Sequence, residues 1–128
     1  MCGLLSPGVH GQSRKMVQVD DTFDGREVAL QAGETLEVSL SENASTGYRW
    51  SIPPEVKRKL TPVLREREET VEAAGGPPGR PGVRRLYFEA LAAGTAELEI
   101  HYRRSWEINK QPARKFRLRV LVQSAPGR

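Results

Sequence analysis

Alternation of apolar and polar residues is the main pattern along this chain. In the last and clearest case the apolar positions alternate with Lys115, Arg117 and Arg119. A period of two places the apolar side chains on one face of a strand and leaves the other face to water, as in an antiparallel sheet with one wet side. The apolar positions of the four clearest strands are Leu36, Val38 and Leu40; Leu86, Phe88 and Ala90; Ala96, Leu98, Ile100 and Tyr102; and Phe116, Leu118, Val120 and Val122.

Weaker alternation predicts further strands, and turn-forming residues separate them. No segment has clear helical periodicity, because Pro53, Pro54 and Pro62 reduce the one candidate, residues 55–60, to at most a short turn. Many short strands separated by turn-forming residues predict an all-β fold, an immunoglobulin-like antiparallel β-sandwich. The additional strands are expected at residues 17–19, 28–30, 48–52 and 63–69.

Length and hydrophobic content indicate one domain. The chain has 128 residues, of which 38% are hydrophobic, enough for one core. We expect a monomeric domain over residues 16–123, with disordered tails at residues 1–15 and 124–128. The first tail lacks the apolar region of a secretory signal, and no window approaches the ~18 apolar residues of a membrane span. As written, the sequence predicts a soluble, cytoplasmic chain, and export by another route stays open.

Few residues are suited to metal binding or nucleophilic catalysis. Cys2 is the single cysteine, and His10 and His101 are the two histidines. These numbers exclude an internal disulfide framework and a zinc site of the usual spacing, and they argue against a Cys–His nucleophile. No carboxylate pair, histidine base or nucleophile elbow falls in a loop. We therefore expect no cofactor, no metal and no enzymatic activity.

The charge of the chain is compatible with an acidic partner. The formal net charge is +4 and the isoelectric point is near 9.6. This balance fits nucleic acid, an anionic membrane surface or an acidic protein, and charge alone does not choose among them. The last strand lacks the aromatic stacking platform of single-strand binders. Residues 101–119 contain one acid, Glu107, and seven basic residues: Arg103, Arg104, Lys110, Arg114, Lys115, Arg117 and Arg119.

The connecting segment that leads to Trp50 is more unusual than a plain turn. Asn43 is suited to an Asx-turn and Gly47 to a positive φ. Tyr48 and Trp50 lie on the same strand face as Ile52, which predicts that they belong to the core. Ser45 and Thr46 lie at the tip of the segment, where a contact role and simple solubility are equally good interpretations.

Two other connecting segments also differ from ordinary turns. Residues 72–83 are rich in glycine and proline, which favours a flexible hairpin connection, and they lack the lysine and hydroxyl residue of a phosphate loop. Arg103 opens a long loop that runs to about Ala113 and contains Trp106. We expect this tryptophan to be exposed, because the inward series ends at Tyr102 and the chain beyond it is charged on both sides. Tryptophan and arginine are also the residue types that dominate binding hot spots. The alternative is that Trp106 folds back over the end of the sandwich.

The three segments together resemble the chagasin-type inhibitors of papain-like cysteine peptidases. That family has the motifs Asn-Pro-Thr-Thr-Gly-Tyr-x-Trp, Gly-x-Gly-Gly and Arg-Pro-Trp. This chain has Asn-Ala-Ser-Thr-Gly-Tyr-Arg-Trp at residues 43–50, a glycine-rich segment before an aromatic strand, and Arg-Ser-Trp-Glu at residues 104–107. The order and spacing match over roughly residues 28–122. The resemblance implies an immunoglobulin-like sandwich with the three loops at one end.

The resemblance also implies a site and a mechanism. The tip of the first loop would lie against the catalytic cysteine and histidine of the peptidase, with Thr46 closest, and the other two loops would hold the flanks of the cleft. The cleft is then blocked by a curved backbone that need not reach the geometry for attack. The implied peptidase-binding residues are Asn43, Ser45, Thr46 and Gly47 in the first loop, Gly79, Arg80, Pro81 and Gly82 in the second, and Arg104 and Trp106 in the third.

Three positions depart from the family motifs. Ala44 and Ser105 stand where the family has proline, and Pro81 replaces a glycine. Loss of two prolines removes fixed φ angles, so we expect less preorganised loops and weaker or retargeted inhibition. The predicted function is reversible inhibition of a papain-like cysteine peptidase. The alternatives are a basic sandwich that binds nucleic acid or another acidic partner and, without specific residue evidence, an adhesion domain.

Overall fold

Eight strands and one short α-helix make up the described part of the chain. The computed structural model describes residues 15–72, 81–107 and 110–124. Cys2, His10 and nearly all of both predicted tails lie outside these ranges. The strands are β1 (Met16–Asp20), β2 (Arg26–Gln31), β3 (Thr35–Glu42), β4 (Tyr48–Ser51), β5 (Leu64–Glu72), β6 (Gly82–Ala90), β7 (Gly94–Arg104) and β8 (Arg114–Gln123), and the helix α1 is Pro54–Leu60.

The strands form two four-stranded sheets that pack face to face. The first sheet has the order β1-β3-β6-β5 and the second the order β2-β8-β7-β4. Every predicted strand is present, and the all-β sandwich is confirmed. The chain passes repeatedly between the sheets, so that β3 ends and β4 begins at the same end of the sandwich. β5 and β7 also end at that end of the sandwich, and β6 and β8 begin there.

Each sheet has one parallel edge strand, which refines the antiparallel prediction. β1 pairs in parallel with β3, and β2 in parallel with β8. The reason is the crossing at residues 21–25, which carries the chain from one sheet to the other instead of closing a hairpin. Two hydrogen bonds fix the crossing on β8: the Asp24 carboxylate accepts from the Arg117 N–H at 2.8 Å, and the Gly25 N–H donates to the Arg117 carbonyl at 2.7 Å.

The apolar positions predicted from alternation fill the space between the sheets. Trp50, Phe88 and Phe116 are the largest fully buried side chains. Burial of apolar area at about 25 cal/mol per Å² is the main favourable term for such a fold. The rest of the core consists of Val19, Leu30, Leu36, Val38, Leu40, Ile52, Leu60, Leu64, Leu86, Ala90, Ala96, Leu98, Ile100, Leu118, Val120 and Val122.

The helix α1 corrects the prediction of at most a short turn. Residues Pro54–Leu60 form two turns of α-helix, with Pro53 as the N-cap and Pro54 at the first position. Proline is tolerated there because the first helical N–H groups have no partner within a helix. Three basic residues in the last turn favour the helix through its dipole, and Leu60 anchors it in the core. No helix in the described ranges is long and apolar enough to cross a membrane.

A buried ion pair of the first sheet lies at the end where β3 leaves for β4, and its carboxylate also bonds to the second sheet. Glu42 and Arg84 are 4% and 5% exposed. Arg84 donates to both carboxylate oxygens of Glu42, at 2.7 and 2.9 Å, and also to Glu69 on β5 at 2.5 Å. The Glu42 carboxylate accepts a third bond, at 2.9 Å, from the backbone N–H of Trp50 in the opposite sheet. The bonds to Glu42 keep the pKa of Arg84 above its ordinary value.

We predict that Glu42→Gln lowers the free energy of unfolding by about 2 kcal/mol or more, since it leaves a buried guanidinium with a single exposed carboxylate partner. Urea unfolding measures the change. The control is Glu97→Gln, which breaks an equally short but exposed pair, Arg119 to Glu97 at 2.8 Å, and should cost less than about 1 kcal/mol. Equal losses for the two variants would contradict a special role for the buried pair.

Candidate functional site

Three connections meet at the end of the sandwich marked by Glu42. We call residues 43–47 loop 1, residues 73–81 loop 2 and residues 105–113 loop 3. Loop 1 follows Glu42, and Gly82, which ends the loop 2 connection, pairs directly with Glu42 across the sheet. Tyr48, which ends loop 1, pairs with Arg104, which precedes loop 3. The strand register therefore brings the described strand ends that flank the three loops to one end of the sandwich.

Loop 1 is a compact turn held by its own polar groups. Residues Ala44–Thr46 form one 3₁₀ turn. The Asn43 side-chain oxygen accepts from the Ser45 N–H at 3.2 Å and from the Ser45 hydroxyl at 2.7 Å, which confirms the predicted Asx-turn. Gly47 has φ of +83°, which confirms the predicted positive φ. Both hydroxyl groups at the tip point back into the loop, because Thr46 Oγ1 donates to the Asn43 carbonyl at 2.8 Å.

Side chains cap the free edge of β4 beside loop 1. The Tyr48 N–H donates to Thr46 Oγ1 at 3.4 Å, and the Trp50 N–H donates to Glu42. The Trp50 indole N–H donates to the Ser41 carbonyl at 2.8 Å. An uncapped edge offers a template for pairing with another chain. Here Thr46 and Glu42 occupy these donors and attach the base of loop 1 to the second sheet.

An aromatic stack supports loop 1 from below. Tyr102 lies between Trp50 and Tyr48, with ring centroids 4.8 and 5.3 Å apart, and its hydroxyl oxygen accepts from the Asn43 N–H at 3.1 Å. Trp50 is 2% exposed, as predicted for a core residue. Tyr48 is only half-buried, so its assignment to the core was wrong. It lies at the mouth of the sandwich, where β4 meets the loops, and covers the stack instead of filling the interior.

Arg104 connects loop 1 with loop 3. It is the last residue of β7, and its Nε donates to the Thr46 carbonyl at 3.0 Å. Its guanidinium lies over the Tyr48 ring, 4.4 Å from the centroid, and pairs with Glu107 of loop 3 at 3.5 Å. A guanidinium is suited to this position because its flat face stacks on an aromatic ring while the N–H groups at its edge donate hydrogen bonds. Arg104 is thus directed toward loop 1.

Trp106 lies on Gly47 and remains open to solvent. Trp106 is 68% exposed, which confirms the predicted exposure and excludes a place in the core. A Cβ atom at Gly47 would lie 2.7 Å from Cη2 of Trp106. Two features therefore require glycine at this position: its positive φ and the close approach of the indole. The outer face of the indole is presented at the tip, next to loop 1.

Loop 3 is held at its base by a second arginine. Arg103, the residue before Arg104, donates to the carbonyls of Glu107 at 3.0 Å and of Lys110 at 3.1 Å. The Ala113 N–H donates to the Tyr102 carbonyl at 2.9 Å and closes the loop. These bonds hold loop 3, and the Asx-turn holds loop 1; these are the two loops in which the family motifs have proline.

Loop 2 is described only at its end. Gly79 and Arg80 lie outside the described residues. Pro81 is exposed, and Gly82 begins β6. Ser105, one of the departures from the family motifs, is exposed in the turn before Trp106.

Sequence reasoning missed the residues that fix the loops from inside. Glu42 continues the inward series of Leu36, Val38 and Leu40, and Arg84 precedes that of Leu86, Phe88 and Ala90. Two opposite charges at inward positions of neighbouring strands are a signal for a buried pair. Arg103 and Tyr102 gave no comparable signal, because their partners are backbone groups.

Comparison with known proteins agrees with this geometry. The model of the family described as "Chagasin family peptidase inhibitor I42" matches residues 29–120. Amoebiasin-2 of Entamoeba histolytica is 27% identical over 97 residues, which cover 73% of this chain and 75% of that protein. Two solved structures share the fold at 24% identity over 85% of this chain: the cysteine protease inhibitor EhICP2 of Entamoeba histolytica, with a TM-score of 0.69 and 96% of that chain covered, and Amebosin in solution, with 0.64 and 98%.

We predict that Gly47→Ala displaces Trp106. The control is Gly25→Ala, since Gly25 has nearly the same φ, +81°, and no atom near the added Cβ. Both substitutions place alanine in the left-handed region and should cost about 1–2 kcal/mol of stability. Only Gly47→Ala should shift the Trp106 indole N–H resonance, assigned by its loss in Trp106→Phe. An unshifted resonance in Gly47→Ala would show that the indole does not rest on this glycine.

Proposed function

Since the chain belongs to the chagasin family of peptidase inhibitors, we propose that it inhibits papain-like cysteine peptidases reversibly, with loop 1 in the active-site cleft. The observation that supports this most is the joining of loops 1 and 3 into one surface by Arg104 and by the contact of Trp106 with Gly47. A preorganised surface loses little conformational entropy on binding. The cysteine-peptidase target follows from the resemblance of the loop motifs.

The hydrogen bonds of loop 1 explain why such a loop would block the cleft without being cut. A scissile carbonyl must lie close to the nucleophile and place its oxygen among the donors of an oxyanion hole. The Thr46 carbonyl is bound by Arg104 on the inner side of the loop. The Asn43 carbonyl accepts from the Thr46 N–H at 3.2 Å and from its hydroxyl. Both oxygens are directed into the inhibitor, away from a cleft that receives the tip.

These hydrogen bonds separate the residues that would shape loop 1 from the groups that would contact the peptidase. Asn43 and Gly47 shape loop 1, and the hydroxyls of Ser45 and Thr46 are part of that shape. What remains for the peptidase is the exposed backbone of the tip and the methyl group of Thr46. Arg104 acts mainly as a positioning residue.

The two flanks of the cleft would be held by side loops. Trp106 provides an exposed, rigid aromatic surface next to the tip, the type of group that anchors interfaces. Loop 2, with Gly79, Arg80, Pro81 and Gly82, would hold the opposite flank. An interface of this kind covers roughly 800 Å² per partner, enough for tight binding without covalent chemistry.

The basic row on β8 gives little support to the nucleic-acid alternative. Lys115, Arg117 and Arg119 face outward as predicted, but Glu99 and Glu97 on β7 lie opposite the two arginines. Arg119 pairs with Glu97 at 2.8 Å, and Arg117 is 3.9 Å from Glu99. Paired guanidinium groups neutralise phosphates less well, since they must first give up a carboxylate partner.

An inhibition panel tests the proposal. The chain is titrated against several papain-like cysteine peptidases, with a serine peptidase as the control. We expect competitive inhibition of at least one cysteine peptidase, none of the serine peptidase, and an intact inhibitor by mass spectrometry after long incubation. Insensitivity of every cysteine peptidase at micromolar inhibitor would overturn the proposal and leave the fold standing.

We predict that Trp106→Ala weakens inhibition by about 2 kcal/mol or more, roughly thirtyfold in the inhibition constant. Stability should change by less than about 1 kcal/mol, because the side chain is largely exposed. The matched control is Met16→Ala, another exposed apolar residue, 47% accessible and at the start of β1, which should leave the inhibition constant unchanged. A large loss of stability in Trp106→Ala, with little effect on inhibition, would assign Trp106 a structural role.

A further inference from the structure

The two sheets differ in charge. The strands of the first sheet contain eight carboxylates and four arginines, whereas those of the second contain eight basic residues and three carboxylates. The whole chain has a net charge of +4, but its strands form one sheet with more acidic residues and one sheet with more basic residues. Such a separation gives the molecule a preferred orientation in the field of a charged partner.

The positive charge of the second sheet is least compensated next to the loops. We call the outward-facing residues Arg49, Arg103, Lys115 and Arg117 the basic face. Among the described outward-facing strand residues of this region, Glu99 is the one carboxylate. Glu99 already accepts from His101 at 2.6 Å, and this bond lowers its pKa. Lys115 and Arg117 lie 4.0 and 3.9 Å from it.

Arg49 is the most unusual member of the basic face. It lies directly opposite Arg103 in the antiparallel pair of β4 and β7. Like charges at such positions destabilise a sheet. Arg103 turns its guanidinium toward the carbonyls of loop 3. Arg49 is exposed and makes no ion pair or hydrogen bond with the described part of the chain, so the fold gains nothing from its charge.

We propose that the basic face docks against an acidic strip on the target peptidase, beside the cleft that loop 1 enters. The proposal rests on the proposed function. Arg49 is two residues from Gly47, and Arg103 precedes Arg104, so both lie beside loops 1 and 3. A peptidase bound to these loops would therefore also cover the adjoining edge of the second sheet. The acidic first sheet then faces away from the peptidase, and the charge separation aligns the inhibitor during encounter.

A protein surface fits this face better than nucleic acid does. The outward-facing residues of this half of the sheet are Arg49, Ser51, Glu99, His101, Arg103, Lys115 and Arg117, with no tryptophan, tyrosine or phenylalanine among them. Binders of single strands stack bases on aromatic rings. Charge pairs at the rim of a protein interface act chiefly on the association rate.

The test is the association rate of Arg49→Glu, measured by stopped flow with two papain-like peptidases that the chain inhibits, one of net negative and one of net positive charge. With the acidic peptidase at low salt we expect a decrease of about tenfold. The decrease should shrink between about 20 and about 300 mM NaCl, where the Debye length falls from about 20 to about 6 Å. With the basic peptidase the rate should not fall.

Stability separates this role from a structural one. The carboxylate introduced by Arg49→Glu lies opposite Arg103, so the midpoint of thermal unfolding should stay constant or rise while association slows. The matched control is Arg58→Glu, an equal charge change at an exposed, unpaired position of α1 in the described structure, where the rate should change less than about twofold.

Three results would overturn the inference. Equal slowing by Arg49→Glu and Arg58→Glu would assign the effect to net charge alone. An unchanged association rate for Arg49→Glu would refute docking of the basic face against an acidic strip. Binding of a labelled single-stranded oligonucleotide that Arg49→Glu abolishes would assign the face to nucleic acid. All three leave inhibition itself in place, whereas a chain that inhibits no cysteine peptidase refutes the proposed function.

Discussion

The carboxylate of Glu42 is the point on which the loop end of this sandwich depends. It accepts bonds from Arg84 in its own sheet and from the Trp50 backbone in the opposite sheet. A buried carboxylate is costly unless its oxygens are fully bonded. Because the donors come from both sheets, satisfying this one charge fixes where β3 ends, where β4 begins and how far apart the two ends of loop 1 lie.

Two arginines extend this constraint to the neighbouring connections. Arg84 also binds Glu69 and so attaches the β5–β6 hairpin that carries loop 2. Arg104 binds the Thr46 carbonyl and Glu107 and so attaches loop 3. Fixed φ angles at prolines are one way to order a binding loop, and side-chain hydrogen bonds to backbone carbonyls are another. In this chain the second way is used in loops 1 and 3, the two loops in which the family motifs have proline.

Most of the fold could be predicted from alternation alone, because one face of each strand is buried and the other is wet. The exceptions have local causes. The helix α1 differs from the prediction because Pro53 and Pro54 stand at the helix start, where proline is tolerated, and not inside the helix, where it would break it. The parallel edge strands depend on the crossing at residues 21–25, whose hydrogen bonds to β8 have no sequence pattern.

The positions of the candidate site and occlusion of the cleft followed from the resemblance, but the bonds that hold the site in shape did not. Motif spacing identified loop 1, Gly47 and the exposed Trp106. The inward direction of Arg104 and of the tip hydroxyls could not be predicted, since their partners are backbone oxygens that any residue type supplies. The inward positions of Glu42 and Arg84 are a sequence signal for buried charges, but the register of β3 and β6 must be known before the two residues can be assigned to each other.

The most direct test of the account is a crystal structure of the chain bound to a papain-like cysteine peptidase. The account predicts that Ser45, Thr46 and Gly47 lie against the catalytic cysteine. It also predicts that the Arg104 bond to the Thr46 carbonyl is intact and that the backbone of loops 1 and 3 moves by less than about 1 Å from the free state. A peptidase seated on a sheet face, or a loop 1 that opens and turns the Thr46 carbonyl toward the nucleophile, would contradict it.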